Sequence, residues 1–136
     1  MRYNWLWIAL FPALLSAQND LQIDVQGVES SDGVIQVAVY THKAAFLRTE
    51  GVYRTDSIPA KKGTTRIMLR DLPAGEYALA IFHDRNANRH LDTNWMGIPK
   101  EPLGFSKSRM KTFGPPSFEE CRVQLSSDMA LAITLE

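Results

Sequence analysis

Apolar side chains at every second position, interrupted by turn residues before any stretch reaches helical length, constrain this chain more than any other feature. In "LQIDVQGV" Leu21, Ile23 and Val25 share one face while Gln22, Asp24 and Gln26 share the other. That is the period of a strand half buried against a core. "VIQVAVY" is apolar on nearly both faces, as a strand inside a sheet should be. The intervening "SSDG" reads as a turn, so the two strands are expected to form a hairpin. "TTRIMLR", "EYALAIFH", "CRVQL" and "MALAITLE" supply further strands, the last alternating Met129, Leu131, Ile133 and Leu135 against smaller residues. "RDLPAGEY" joins two of them through a Pro-Gly turn, and a short helix is expected around "KAAFLRTE". Short strands with turn signals and no long helical period predict an all-β fold. The expected form is an antiparallel β-sandwich of about seven strands, immunoglobulin-like or prealbumin-like.

The 136 residues suffice for one domain with a core of its own, placed here at 18–136. A hydrophobic share of 45% with 22% charged residues belongs to a globular protein, and disorder across the chain is excluded. Formal net charge is zero and no basic patch is interleaved with aromatics, which argues against a nucleic-acid partner. Cys121 is the one cysteine, so no disulfide can close within the chain. In "CRVQL" it alternates with Val123 and Leu125, the pattern of a small apolar core residue.

At the N-terminus Arg2 precedes an apolar run from Trp5 to Leu15, then Ser16 and Ala17. The run is shorter than the roughly 20 residues that span a bilayer and suits the h-region of a secretory signal, with cleavage expected after Ala17. The alternatives are a buried first strand or a membrane anchor, against which stands the polar break at Gln18 to Asp20. With no cysteine near the cleavage point, a lipoprotein anchor is not indicated. The expected location is therefore periplasmic or extracellular.

From Asp84 to Ser117 no period is sustained. Loops longer than about 12–15 residues are functional or disordered more often than not. This one carries Leu91, Trp95, Met96, Ile98, Phe105 and Phe113, which predicts an ordered loop folded back over one end of the sheets, with at least two of its three aromatics buried. The alternative for Trp95, Phe105 and Phe113 is a platform for a protein or carbohydrate ligand of the cell envelope, since sandwiches carry function in their end loops.

The loop begins "HDRNANRHLD", with oxygen side chains at alternate positions: Asp84, Asn86, Asn88 and, further on, Asp92. Counted against a twelve-residue calcium loop, Asp84, Asn86 and Asn88 occupy the first, third and fifth positions. His90 can offer its backbone carbonyl at the seventh and Asp92 stands at the ninth, but Arg89 replaces the glycine of the sixth and Trp95 the closing glutamate. Glu101 completes such a shell only if the chain folds back. The candidate metal ligands are thus Asp84, Asn86, Asn88, His90 and Asp92, for calcium at low affinity. The competing reading is a metal-free loop held by Asx-turns.

Catalysis finds less support. His83 and Asp84 are neighbours on an extended strand and point to opposite faces, although they remain the pair on which a hydrolytic or metal-dependent enzyme would draw. Ser106 has neither an elbow motif nor a base beside it. A zinc site from His42, His83 and His90 lacks recognisable spacing. The expectation is an exported, non-catalytic binding or accessory module.

The run "YALAIFHDRNANRHLDTNWMGIPKEPLGFSKS" followed by "FGPPSFEEC" resembles the bacterial family catalogued as domain of unknown function number 2141. The matching positions are His83 and Asp84, Asn86, Asn88, Leu91 and Asp92. Gly97, Ile98 and Pro99 come next, then Glu101, Gly104, Phe105, Ser106, Pro116 and Phe118. The resemblance implies a secreted or periplasmic β-sandwich and implies no activity. This chain departs from the pattern at Ala87 and Arg89, where glycine is common, and at Cys121, where alanine is.

Overall fold

The computed structural model describes residues 17–136, so the signal peptide read in residues 1–17 lies, apart from Ala17, outside the described residues. Two sheets face each other. One has the order β4–β1–β8, from β1 (Gln18–Val28), β4 (Gly63–Pro73) and β8 (Met129–Thr134). The other has the order β3–β2–β5–β6, from β2 (Val34–Tyr40), β3 (Arg54–Pro59), β5 (Gly75–Asp84) and β6 (Leu103–Phe105). A further short strand, β7 (Val123–Leu125), pairs with the first residues of β5. All pairings are antiparallel except β1 with β8. The architecture is the all-β sandwich that the alternation predicts.

The expected β1–β2 hairpin is corrected. β1 pairs with β4 and β8, and β2 pairs with β3 and β5, so "SSDG" carries the chain from one sheet to the other. Both strands bury an apolar face in the same interior, and they meet across it rather than side by side. Around "KAAFLRTE" only two single 3-10 turns form, Lys43–Ala45 and Thr49–Gly51.

Leu21, Ile23 and Val25 of β1 meet Ile35, Val37 and Val39 of β2 and Leu79 and Ile81 of β5 in the core between the sheets. The opposite face of the second sheet is covered as well. Tyr40, Ala78, Leu103, Phe105, Phe118 and Cys121 form a second core there, with Ala38, Ala80 and Phe82 packed against it. This explains why β2 and β5 are apolar on both faces: each is a central strand between two cores. The first sheet instead turns Asp24 and Arg66 to solvent, paired at 2.8 Å. Its outward face shows the alternation of a half-buried strand.

The second core is closed by a helical turn, α1 (Phe118–Cys121), whose capping box has Ser117 Oγ accepting from the Glu120 N–H while the Glu120 carboxylate accepts from the Ser117 N–H. Cys121 is fully buried as expected, but on this turn rather than on a strand. Burial pushes its thiol up to about 11. β6 ties the sheets together, since Leu103 exchanges two backbone hydrogen bonds with Glu136 just beyond β8. Gly104 lies against β8 so closely that an added Cβ would fall 2.8 Å from the Thr134 carbonyl oxygen, so only glycine fits there. No helix among the described residues is long and apolar enough to cross a membrane.

Candidate functional site

β5 ends in two buried polar residues with separate surroundings. His83 points toward the interior and its Nε2 lies 2.7 Å from the Asp32 carbonyl oxygen, which fixes Nε2–H as the donor; Nδ1 is buried without a partner. Asp84, on the opposite face, is fully buried at the end of the strand. Adjacent on an extended strand, their side chains cannot share a reaction. Ser106 Oγ accepts from the Leu79 N–H and donates to the Cys121 carbonyl, so the hydroxyl is spent on joining β5 to α1.

Asp84 organises the coil that begins the loop. Its carboxylate accepts the backbone N–H groups of Asn88 (3.2 Å) and Arg89 (2.8 Å) and the side-chain amide of Gln36 (3.2 Å). Gln36 lies across the β2–β5 ladder, and its signal in the sequence was the one polar side chain within "VIQVAVY". Asn86 Oδ1 accepts from the Asn88 N–H at 3.3 Å and Asn88 Oδ1 from the His90 N–H at 2.9 Å. These are the hydrogen bonds of successive Asx-turns. The coil needs the left-handed region twice, at Ala87 (φ 53°) and Arg89 (φ 66°), the two positions where glycine is common in the resembling family. Gly33 lets the loop begin where it does: a Cβ there would meet the Asp84 carbonyl oxygen at 2.0 Å.

Asp92 and Glu101 complete the cluster. Asp92 accepts the side-chain amides of Asn86 (2.7 Å) and Asn88 (2.9 Å), which hold its carboxyl below the usual range. Glu101, buried, accepts the Asp92 N–H at 3.2 Å. Burial pushes the Glu101 carboxyl up, and the charges of Asp92 and Asp84 add to the shift. Among the described residues none of the three carboxylates has an ion pair with a basic side chain. Nor is any group of three His, Cys, Asp or Glu side chains drawn close enough to hold a metal. His42 and His90 stay on the surface, apart from buried His83.

Between these carboxylates the chain makes a hairpin. The Asn94 N–H donates to the Ile98 carbonyl (2.8 Å) and the Lys100 N–H to that of Asp92 (2.7 Å). Asn94 Oδ1 accepts from the N–H groups of Met96 (2.9 Å) and Ile98 (3.0 Å), and Thr93 bridges to Pro99. The expected burial of the loop's apolar residues is corrected here. Phe105 is buried on β6, but Trp95 is 90% exposed and Phe113 101%, with Met96, Ile98 and Leu91 also exposed. A hairpin that satisfies its own backbone has no need to lie on the core, and its side chains project outward.

The fold and the cluster together define a class, an all-β sandwich domain with an ordered loop rich in Asp and Asn at one end. Residues 23–133 match the family described as "Uncharacterized protein conserved in bacteria (DUF2141)", and the chain belongs to it. No curated protein and no solved structure matches the chain.

Proposed function

We propose that this protein is an exported, non-catalytic binding or accessory module of the cell envelope whose working part is the end loop from Asp84 to Glu101, organised by calcium. The observation that supports this most directly is the set of three carboxylates, Asp84, Asp92 and Glu101, in which the charges of the first two bear on the third. Two of them are buried, and none has a basic side chain as ion partner among the described residues. Buried carboxylates without a counter-charge are costly, and a divalent cation relieves that cost.

The residue types, though not their present arrangement, are those that bind a hard cation. Asp84, Asn86, Asn88, Asp92 and Glu101 offer side-chain oxygens and His90 its carbonyl, while the left-handed Arg89 supplies the sharp bend that glycine gives at the sixth position of a calcium loop. To take the ion, Asn86 and Asn88 release the hydrogen bonds their amides make to Asp92 and turn their oxygens inward. Export supplies millimolar calcium, and the loop then presents its surface to a protein or carbohydrate ligand of the envelope.

Thermal melting in calcium and in chelator tests this. A bound ion stabilises the native state by RT ln(1 + [L]/Kd), about 2.7 kcal/mol at a hundredfold excess over Kd. A rise in Tm at millimolar calcium is expected. An unchanged Tm leaves the Asx-turns as the loop's sole organiser.

A further inference from the structure

We propose that the Asp32–Gly33 step, in the turn between β1 and β2, is a site of succinimide formation and rearrangement to isoaspartate, promoted by the buried imidazole of His83. It is the one Asp-Gly step of the sequence, in which no Asn-Gly step occurs. The reaction joins the side-chain carboxyl carbon of Asp32 to the backbone nitrogen of Gly33, so it needs an uncrowded nitrogen, a free carboxyl group and help in ionising the amide. Glycine meets the first need, having no Cβ beside the attacking atom. Asp32 is exposed, and among the described residues its carboxylate forms no ion pair and the Gly33 N–H donates no backbone hydrogen bond. Both groups are free to meet.

His83 supplies the help. As the Gly33 amide loses its proton, negative charge spreads to the Asp32 carbonyl oxygen, and the Nε2–H of His83 already donates to that oxygen at 2.7 Å. A donor fixed beforehand in the core stabilises charge at the atom where it develops. His83 is fully buried and Nδ1 has no partner, so this is the ring's one hydrogen bond among the described residues. The Gly33 nitrogen attacks the protonated carboxyl group of Asp32, the new C–N bond forms, and the amide hydrogen and the carboxyl hydroxyl leave together as one water. Water then opens the ring at either carbonyl. Attack at the side-chain carbonyl restores aspartate, whereas attack at the backbone carbonyl breaks the original peptide bond and leaves the main chain running through Cβ and Cγ. The longer chain has no slack to occupy. An added Cβ at Gly33 would fall 2.0 Å from the Asp84 carbonyl oxygen and 2.6 Å from that of Arg85, so the rearranged turn must move off the base of the loop.

Peptide mapping of the purified protein aged at neutral pH, with electron-transfer fragmentation to tell isoaspartate from aspartate, tests this. A species one water lighter should appear first, then isobaric isoaspartate at Asp32, and Tm should fall as that fraction grows. Formation should be several-fold faster in the native protein than in a synthetic peptide of residues 28–36, which carries the same step without the imidazole. His83→Gln, which keeps a side-chain N–H donor, should retain more of the native rate than His83→Leu. Asp32→Glu, which would need a larger ring, should abolish the reaction at this step. Should the His83 variants fail to fold, the comparison of native protein with peptide still decides. Aspartate that stays unchanged at this position overturns the proposal. A native rate equal to or below that of the peptide overturns the part given to His83, and a Tm that holds while isoaspartate accumulates overturns the coupling to the loop.

Discussion

The core between the sheets and the loop from Asp84 to Glu101 meet on one strand, at two adjacent residues, and are built on opposite principles. Up to His83, β5 contributes Tyr77, Leu79 and Ile81 to an interior where apolar area removed from water supplies the stability. From Asp84 onward order comes from carboxylates and carboxamides that collect backbone N–H groups, while the large apolar side chains are left in water. Apolar content is thus no guide to burial in the second region. What positions a residue there is the hydrogen bond its neighbours can make.

The largest effect should come from the core. Leu79→Ala opens a cavity at a fully buried site and should lower unfolding stability by about 3 kcal/mol in a urea titration. Trp95→Ala, the removal of a larger side chain, should stay within about 0.5 kcal/mol of the parent because its ring is solvated. Comparable losses for the two would erase the contrast and return Trp95 to the core.

A smaller effect should come from the loop backbone. Ala87 and Arg89 hold positive φ, which costs a non-glycine residue about 1 kcal/mol, and Asp84 gathers the N–H groups that keep them there. Ala87→Gly and Arg89→Gly should each raise stability by up to about 0.5 kcal/mol, the entropy that glycine adds to the unfolded chain offsetting part of the relieved strain. A loss at either position would mean that the side chain contributes more than its backbone strain costs.

The contrast also marks what the sequence could reveal. Strands facing the core were legible as alternation because burial imposes a period of two. β3 was not, since as an edge strand it buries little, and "RTDSIP" carries only Ile58 toward the core. β6 left no alternation to read because all three of its residues are buried, whereas the equally short β7 alternates buried Val123 and Leu125 with exposed Gln124. α1 did leave a signal in the Ser117 to Glu120 spacing of its capping box. In the loop, Asp84, Asn86, Asn88 and Asp92 were legible from the alternation of their oxygens. The outward aim of Trp95 and Phe113 was not, because nothing in residue type says whether a turn's backbone satisfies itself.

The smallest expected effect probes the polar region alone. Burial first, and then the charges of Asp92 and Asp84, raise the Glu101 carboxyl above its ordinary 4.5, so between that value and the raised one the native state holds a proton that the unfolded chain has lost. Stability from this group is whole below 4.5 and is lost as pH rises through the native value. Asp92 runs the other way, its lowered carboxyl adding stability above 3.8 that vanishes on acidification, so the two windows are separate. Melting temperatures in chelator should accordingly decline as pH rises above 4.5, and Glu101→Gln should flatten that decline while leaving the acid side unchanged. Calcium reverses the sign: an ion held by Glu101 favours the carboxylate, lowers its pKa and turns the decline into a rise. A decline that millimolar calcium leaves intact would take Glu101 out of any cation shell, and an identical profile in the glutamine variant would show that the buried carboxyl is not what titrates.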